Sequence, residues 1–361
     1  MAFNRTAPYN DLPPLPPKVD IETREVLKRA IAASRALAEL KGLGGIIPNQ
    51  AMLVNSLVLQ EAKASSEIEN IVTTNDAMYR AMAASGGAVD PATKEVLRYR
   101  EAVWQGFDHV RKNARLDSDL FIRLVQTIKE DKRGIRNKPG TIVGNARTGE
   151  VIYTPPEGER VIRRKLDELA RFIHADDGLD PLVRLGLIHY QFEAIHPFFD
   201  GNGRTGRLVN ILFLVTQGLL NLPVLYMSKY IIDRKPEYYR RLREVTEQGK
   251  WEAWVLFMLD AAENTATLTR QRILDIRALL DETLELARKK LPSRVYSKDL
   301  IELIFRQPYT KGQFVVDAGI AKRKAAAEYL KALEDAGILR VQKVGKENLY
   351  LNVGLYELLS R

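Results

Sequence analysis

The sequence contains one stretch that is rich in ionisable residues and glycines, His196-Pro197-Phe198-Phe199-Asp200-Gly201-Asn202-Gly203-Arg204-Thr205-Gly206-Arg207. Glycine tolerates backbone angles that other residues avoid, so Gly201 and Gly203 allow neighbouring amide N–H groups to converge on one point. A concavity of backbone amides binds anions. The stretch therefore predicts an anion-binding loop.

The residues that follow the loop predict a helix. Apolar residues recur at helical spacing at Leu208, Ile211, Leu212, Val215 and Leu219. The loop therefore opens a helix, and the N–H groups and dipole at a helix N-terminus attract phosphate. Arg204 and Arg207 fall in the first turn, so we expect them to share a face and to favour a polyphosphate over a single phosphate.

Two further groups of the loop indicate chemistry as well as binding. Asp200 alone would repel phosphate, but it suits a hard cation such as Mg²⁺ held between carboxylate and phosphate oxygens. His196 is the group in the loop whose ordinary pKa lies near neutrality, so it is the candidate general base for a hydroxyl nucleophile.

The whole stretch resembles the signature of the Fic family of protein AMP-transferases, His-x-Phe-x-Asp/Glu-Gly-Asn-Gly-Arg-x-x-Arg, at every defining position. The resemblance implies that ATP and Mg²⁺ bind and that AMP is transferred to a hydroxyl side chain of a target protein. It implies that His196 is the catalytic base and that Asp200 holds the metal. The nucleotide-binding residues that it implies are Gly201, Asn202, Gly203, Arg204, Thr205, Gly206 and Arg207.

Two other interpretations of the loop are less favoured. Gly201, Gly203 and Gly206 also match the dinucleotide-binding pattern, but that pattern requires a preceding strand in a parallel βαβ unit. The residues before the loop instead have helical spacing, at Leu182, Leu185, Ile188, Phe192 and Ile195. A simple glycine turn between two helices would not need the histidine, the aspartate and the two arginines that flank it.

The composition favours a cytoplasmic protein without a membrane span. The 361 residues suffice for two or three domains, and no apolar run reaches the ~18 residues of a membrane helix. The N-terminus is polar and proline-rich, unlike a signal peptide, and the absence of cysteine excludes disulfides and thiolate chemistry. The net charge of +9 fits an anionic partner, whether nucleotide, nucleic acid or acidic protein.

The first 90 residues predict an arm and two helices. Residues 1 to about 20 contain five prolines and predict an extended arm laid over the folded body. Within this arm, residues 9–17 resemble the opening of the N-terminal extension in one large branch of Fic proteins. A helix is predicted from Ile21 to Leu43, and a second from Pro48 through Ile68.

The end of that second helix, residues 65–70, resembles the Fic inhibitory motif Ser/Thr-x-x-x-Glu-Gly/Asn, with Ser65, Glu69 and Asn70 at the defining positions. Because the motif precedes the signature, the resemblance implies the regulatory class in which the glutamate pairs with the second arginine, here Arg207. A carboxylate at this position would bind the guanidinium that otherwise contacts the ATP γ-phosphate, and its charge would repel that phosphate. The charge-assisted hydrogen bond between carboxylate and guanidinium is worth ~1.5–3 kcal/mol. The alternative is an ordinary solvated helix face.

A hairpin is predicted in the middle of this helical chain. Its β-branched and aromatic residues are Ile142, Val143, Val151, Ile152 and Tyr153. By position it resembles the Fic flap, which implies that a target segment docks here by strand addition. The alternative is a surface hairpin without a role. Helices are predicted around it over 92–113, 116–131, 159–175 and 180–195.

A tyrosine pair follows the signature helix. Pro236 predicts a helix start, and Tyr238 and Tyr239 follow it closely. The two rings could offer a face to an adenine ring, as the corresponding region of Fic proteins implies, or they could pack in the core.

From about Ser293 the order of helix, helix-turn-helix and hairpin resembles a winged helix, with the hairpin turn at Gly345-Lys346. The second helix of the pair carries Lys322, Arg323 and Lys324 near its N-terminus, where a recognition helix meets DNA. Winged helices also dock proteins, so DNA and protein partners both stay open.

The sequence therefore predicts a mainly α protein: a Fic fold with a helical core and one β-hairpin flap, an N-terminal helical extension and a C-terminal winged helix. The expected units are 1–90, 91–275 and 290–361. The expected function is a protein adenylyltransferase for Ser, Thr or Tyr hydroxyls of a target or of itself, autoinhibited by Glu69, with a homodimer left open. The alternatives are a DNA-binding regulator with a nucleotide-sensing site, a toxin–antitoxin partner, or a Fic enzyme that uses another donor such as UTP or removes AMP.

Overall fold

The computed structural model describes residues 3–43, 50–84, 86, 88–144, 148–345 and 347–360. The predicted helix start at Pro48, part of the turn of the central hairpin (145–147) and Lys346 in the C-terminal turn lie outside the described residues.

Helices dominate the described part of the chain. They are α1 (Arg24–Leu43), α2 (Gln50–Ile68), α3 (Asn75–Ala83), α4 (Pro91–Asn113), α5 (Ser118–Lys129), α6 (Glu159–Ile173), α7 (Pro181–Ile195), α8 (Asn202–Thr216), α9 (Met227–Asp233), α10 (Lys235–Gln248), α11 (Trp251–Lys290), α12 (Lys298–Leu303), α13 (Gly312–Asp317), α14 (Arg323–Asp335) and α15 (Val353–Ser360).

The strands of the described residues are short and antiparallel. They are β1 (Val143–Gly144), β2 (Val151–Tyr153), β3 (Tyr309–Thr310), β4 (Arg340–Val344) and β5 (Glu347–Leu351). Strands β1 and β2 form the predicted hairpin, with Val143 opposite Tyr153. The second sheet has the order β3-β5-β4, so β5 is central. Ile142, predicted within the hairpin, precedes β1 and is exposed.

Local capping explains why the predicted helices begin where they do. Asp117 accepts a hydrogen bond from the Leu120 N–H at the start of α5. Asp180 does the same at the start of α7, where Pro181 occupies the first helical position. Strand β3 was not predicted, because two residues after a proline carry no period-two pattern.

Helices α7 and α8 form the centre of the first part of the molecule. Nearly every residue of α7 is buried, and the same holds for α8. A helix that is apolar all round must be covered on every side, and α7 packs against α1, α6, α8 and α11. The signature loop joins these two helices, so both of its ends are fixed by the core.

Helix α11 connects the core to the C-terminal elements. Its 40 residues extend ~60 Å. Residues 276–289, which the predicted units 91–275 and 290–361 leave unassigned, therefore belong to this continuous helix. The C-terminal elements also contact the N-terminal region, because Tyr309 Oη donates to Asp76 Oδ1 of α3 at 2.5 Å. Arg80 of the same helix donates to Gln342 Oε1 of β4 at 2.6 Å.

Among the described residues, no helix combines the length and the apolar character that crossing a bilayer requires.

Candidate active site

The signature loop begins at the end of α7. His196 closes this helix in the left-handed conformation with φ +47°, and its N–H donates to the Phe192 carbonyl at 3.1 Å. The loop then reaches Gly201, whose φ of +83° favours glycine. Helix α8 starts at Asn202, so residues 197–201 separate the histidine from the free N–H groups of the first turn of α8.

Side chains of the loop fix its shape. Asn202 Oδ1 accepts from the Phe198 N–H at 2.8 Å, and its Nδ2 donates to the Phe198 carbonyl at 2.9 Å. Thr205 Oγ1 donates to the Gly201 carbonyl at 2.9 Å. Both polar atoms of the Asn202 side chain therefore bond within the loop. Its backbone N–H stays a candidate donor.

Helix α2 holds Arg207. The Arg207 Nε donates to Ser65 Oγ at 2.8 Å, and Nη2 donates to the Ser65 carbonyl at 2.8 Å and to Glu69 Oε1 at 2.9 Å. The guanidinium side chain is only 1% exposed. The predicted contact between the inhibitory motif and the second signature arginine is therefore present.

The last residue of the motif ends the helix. Asn70 adopts φ +62°, a left-handed conformation that asparagine tolerates better than most residues and that commonly follows a helix C-terminus. Lys235 Nζ donates to the Ile68 carbonyl at 2.5 Å and to Asn70 Oδ1 at 3.4 Å. The carboxylate of Glu69 is thus presented from a helix end that α10 holds in place.

The Glu69–Arg207 contact is a charged pair. Burial raises the pKa of Glu69, but the adjacent guanidinium outweighs it, so the carboxyl pKa falls below its usual value. Burial lowers the pKa of Arg207 and Glu69 raises it, with a net increase. A Cβ on Gly203 would collide with both partners of the pair, so any larger residue there would displace the Glu69 and Arg207 side chains.

The first signature arginine has different partners. Arg204 is buried and pairs with Glu95 of α4, and its Nη2 lies 3.2 Å from Asp200 Oδ1. Lys129 Nζ lies 2.6 Å from both Glu95 Oε1 and Asp200 Oδ2. The guanidiniums of the two arginines pair with separate carboxylates, Arg204 with Glu95 of α4 and Arg207 with Glu69 directly after α2. Their joint binding of one polyphosphate stays a prediction.

Asp200 suits the implied magnesium ion as a single protein ligand that acts together with phosphates and water. The described residues contain no cluster of three or more histidine, cysteine or acidic side chains that could hold a metal ion by themselves. However, Mg²⁺ commonly uses one or two carboxylates together with substrate phosphates and water. Asp200 has 59% of its side chain exposed next to the first turn of α8, so it could supply one ligand if Lys129 yields an oxygen.

The histidine and a nearby glutamate have shifted pKa values. Burial and the charge of Arg136 lower the pKa of His196 to about 4, so its imidazole is neutral at physiological pH. Glu193, one turn earlier on α7, has its pKa raised to about 7, chiefly by burial. Its Oε1 is buried and has no hydrogen-bond partner among the described residues. Sequence reasoning missed this carboxyl, although it interrupts an apolar helix beside the signature.

These groups meet at a cavity of about 750 Å³, a volume typical of small-ligand sites. His196, Gly203, Arg207, Glu69 and Asn70 line it, whereas Asp200 does not. The hairpin forms one wall through Val143, Gly144, Ile152 and Tyr153. Tyr153 Oη donates to the Ala194 carbonyl at 2.8 Å, so the hairpin is fastened to α7 close to the histidine.

The predicted tyrosine pair borders the same cavity but its members differ. Tyr238 is buried, bonds His189 Nε2 at 2.8 Å through its hydroxyl, and packs on Trp254. Tyr239 is 44% exposed. The Tyr238 ring therefore packs in the core, whereas the Tyr239 ring is exposed enough to contact a ligand.

Arg136 supports the histidine from outside the cavity. Its Nε donates to the His196 carbonyl at 2.7 Å, and Nη2 donates to the carbonyls of Pro156 and, at 3.4 Å, Ile195. Arg136 thereby joins the chain after the hairpin to the end of α7. Its sequence context gave no signal for this role, because the partners lie on remote segments.

The substitution Arg136→Met should lower the free energy of unfolding by about 2–4 kcal/mol, because it leaves buried carbonyls without donors. Urea denaturation followed by circular dichroism measures this change. The control is Arg115→Met, which removes a largely exposed arginine with one ion pair and should cost less than about 0.5 kcal/mol. Equal effects of the two substitutions would contradict the role of Arg136.

Three family descriptions match separate parts of this chain. They are "Fic/DOC family N-terminal" over residues 27–108, "Fic/DOC family" over 115–214, and "Protein adenylyltransferase SoFic-like, C-terminal domain" over 279–355. The second range includes the signature loop and the hairpin. The first range includes the helix that holds the second signature arginine.

Curated relatives with similar sequences include the protein adenylyltransferase Fic of Drosophila mojavensis, 28% identical over 204 residues. This match covers 55% of the chain and 38% of the relative. A probable protein adenylyltransferase of Aquifex aeolicus is 34% identical over 79 residues, covering 22% of the chain and 24% of the relative. The chain thus spans less than half the length of these curated relatives.

Solved structures share the fold at low sequence identity. A Fic family protein from Desulfovibrio desulfuricans G20 has a TM-score of 0.56 at 19% identity, covering 93% of this chain and 98% of that one. Residues 134–508 of Fic-1 from Caenorhabditis elegans give 0.53 at 17% identity, covering 71% and 75%. The mainly helical architecture predicted from the sequence is therefore confirmed.

Proposed function

Because the chain belongs to the Fic/DOC family, we propose that it transfers AMP from ATP to a Ser, Thr or Tyr hydroxyl of a target protein and releases pyrophosphate. The observation that carries the proposal is the cavity in which His196, Gly203 and Arg207 come together. A neutral imidazole, the start of a helix and a guanidinium are the groups that hydroxyl attack on a nucleotide requires.

In the proposed reaction, His196 accepts the proton of the target hydroxyl as its oxygen attacks the α-phosphorus. The bond from the α-phosphorus to the bridging oxygen breaks, and pyrophosphate leaves. Backbone N–H groups from Gly201 to Gly203 stabilise the charge that develops on the α-phosphate. Arg207, once released, orients the outer phosphates. A magnesium ion on Asp200 would neutralise phosphate charge.

The substrate protein is proposed to dock on the hairpin. Among the described residues, β1 and β2 form a two-stranded sheet, so each strand has an outer edge at which a further strand could be added. The hairpin wall of the cavity is tied to α7 by Tyr153, which keeps a docked segment near the histidine. Residues 1–90, 91–275 and 290–361 stay our proposed units.

The test is incubation of the full chain and its Glu69→Gly form with [α-³²P]ATP, Mg²⁺ and cell lysate. The lysate is heat-treated first, because its own protein kinases would transfer the γ-phosphate of ATP. Transfer of AMP by the chain then predicts labelled protein from the α-label, none from [γ-³²P]ATP, and competition by unlabelled ATP. Label from the γ-position in the treated lysate would indicate phosphate transfer and contradict the proposal. Stronger competition by UTP than by ATP would indicate UMP transfer. Loss of label from premodified protein would indicate AMP removal.

A second function, DNA binding, is proposed for residues 290–361. The order α12, β3, α13, α14, β4 and β5 supports a winged helix. Lys322, Arg323 and Lys324 are exposed at the start of α14, where such a helix meets DNA. Alanine at all three positions should abolish a shift of duplex DNA by the full chain. If the alanine variant shifts DNA as the parent does, or if the parent shifts no DNA, the proposal of DNA contact through these residues is wrong. Protein docking would then be the proposed role of this unit.

A further inference from the structure

The N-terminal arm, defined as residues 3–17, is attached to the walls of the cavity. The Tyr9 N–H donates to the Thr154 carbonyl at 3.0 Å, directly after β2. Thr154 Oγ1 donates in return to the Arg5 carbonyl at 2.6 Å. Further along, Lys165 Nζ donates to the Leu12 carbonyl at 2.7 Å. The arm therefore follows the hairpin and α6 with specific hydrogen bonds.

Phe3 brings an aromatic ring to the cavity. It stacks on Tyr153 with centroids 5.9 Å apart and an interplanar angle of 20°, and it meets the edge of Tyr9 at 5.3 Å. Phe3 is partly exposed and lines the same cavity as His196 and Arg207. An aromatic group from the arm thus forms part of the wall.

Arg5 joins the two sides of the cavity. Its Nε lies 2.9 Å from Glu247 Oε1 of α10, and its Nη1 lies 3.4 Å from Glu150 Oε1 beside β2. Glu247 also lines the cavity and pairs with Arg243. The arm therefore crosses from the hairpin to α10 at the part of the cavity that Glu247 borders.

This part of the cavity lies away from the groups that would hold phosphate. Lys235, at the start of α10, contacts the helix end that carries Glu69. Glu247 is at the other end of α10, ~18 Å along the axis from Lys235 at the usual helical rise. The residues that line the cavity along this length of α10 are Tyr239, Leu242 and Thr246. A nucleotide with its phosphates at Arg207 therefore has room for its nucleoside toward Glu247.

We propose that the arm supplies the outer wall of the base-binding end of this cavity. Phe3 contacts the nucleobase, and Arg5 holds the hairpin and α10 at the distance from each other that the base requires. The inference rests on the proposed use of a nucleotide donor and adds a specificity-determining residue to it. The chemistry is that of a planar heterocycle against an aromatic side chain, as in other proteins that bind bases by stacking.

The proposal separates base recognition from phosphate recognition, so two ligands test it. Calorimetry on the full chain in the Glu69→Gly background measures the Kd for ATP and for inorganic tripolyphosphate. Phe3→Ala should weaken ATP binding about tenfold and leave tripolyphosphate binding unchanged, whereas Phe3→Tyr should retain the parent affinity. Arg5→Gln should weaken ATP binding about two- to threefold, since its ion pairs are partly exposed.

Matched controls are available on the same chain. Val19 is an exposed apolar residue that follows the cavity-contacting segment 3–17, and Val19→Ala should alter neither Kd. Arg29 bridges Asp260 and Glu263 on α11 with a similar exposure to that of Arg5, and Arg29→Gln should also have no effect.

Equal effects of Phe3→Ala on both ligands, or no effect on ATP, would overturn this inference alone. Failure of the parent to bind either ligand would overturn the proposed function and this inference with it.

Discussion

Replacement of His196 by alanine should reduce AMP transfer by about 100- to 10,000-fold, the usual contribution of a positioned general base. The Kd for ATP should stay within about twofold of the parent value, because Arg207 and the amides of the first turn of α8 are unchanged. Both quantities are measured in the Glu69→Gly background, the first from incorporation of α-labelled AMP into protein and the second by calorimetry.

The control for this substitution is His174→Ala. His174 is exposed at the end of α6, and its ring hydrogen-bonds the backbone of Leu116, away from the cavity. Transfer by this variant should equal that of the parent. Incorporation at the parent rate by His196→Ala would show that another group accepts the proton. A parallel loss of ATP binding would show that the histidine holds the nucleotide instead.

The pH profile gives an independent test of the same residue. A base acts in its deprotonated form, and the pKa of His196 is lowered to about 4. Its contribution should therefore persist as the pH falls from about 8 to about 6 and disappear only as the pH passes through the lowered pKa. Glu193, with a pKa of about 7, also titrates in the cavity, so Glu193→Gln is measured in parallel. Half-maximal transfer near pH 6.5 in both proteins would contradict a depressed histidine pKa.

Helix positions and the place of the loop could be predicted because their signals are local. Asp180 and Pro181 mark the start of α7 by capping, and the left-handed glycine at 201 marks the turn into α8. Each of these predictions depends on residues within one or two helical turns.

Partners on remote segments could not be predicted from residue chemistry. The contact between Glu69 and Arg207 was anticipated only through a family resemblance, since these residues are 138 positions apart. Nothing in the sequence connects Arg204 to Glu95, or Arg136 to the carbonyls around His196. Such pairs form because helices from separate parts of the chain pack on one core, and tertiary packing decides which carboxylate or carbonyl each arginine meets.

Replacement of Glu69 by glycine should increase AMP transfer by about 10- to 150-fold. This range corresponds to the ~1.5–3 kcal/mol of a charge-assisted hydrogen bond. The substitution removes the carboxylate 2.9 Å from Arg207 Nη2 and leaves the guanidinium available to the γ-phosphate. The initial rate of α-labelled AMP incorporation, into target or into the chain itself, measures the effect. Glu69→Gln keeps the shape of the side chain without its charge and should give an intermediate rate.

A matched control separates release of the arginine from general loosening of α2. Glu67→Gly also introduces a glycine near the end of this helix, at a residue for which the described structure gives no ion pair with Arg207, and should not raise transfer. Addition of Arg207→Ala to Glu69→Gly should abolish the gain, because the two substitutions act on one contact and cannot be additive. A gain that survives without the guanidinium would mean that the carboxylate restrains the reaction by some route other than this pair. An unchanged or lower rate in Glu69→Gly itself would mean that the pair is structural and that nucleotide binds without displacing it.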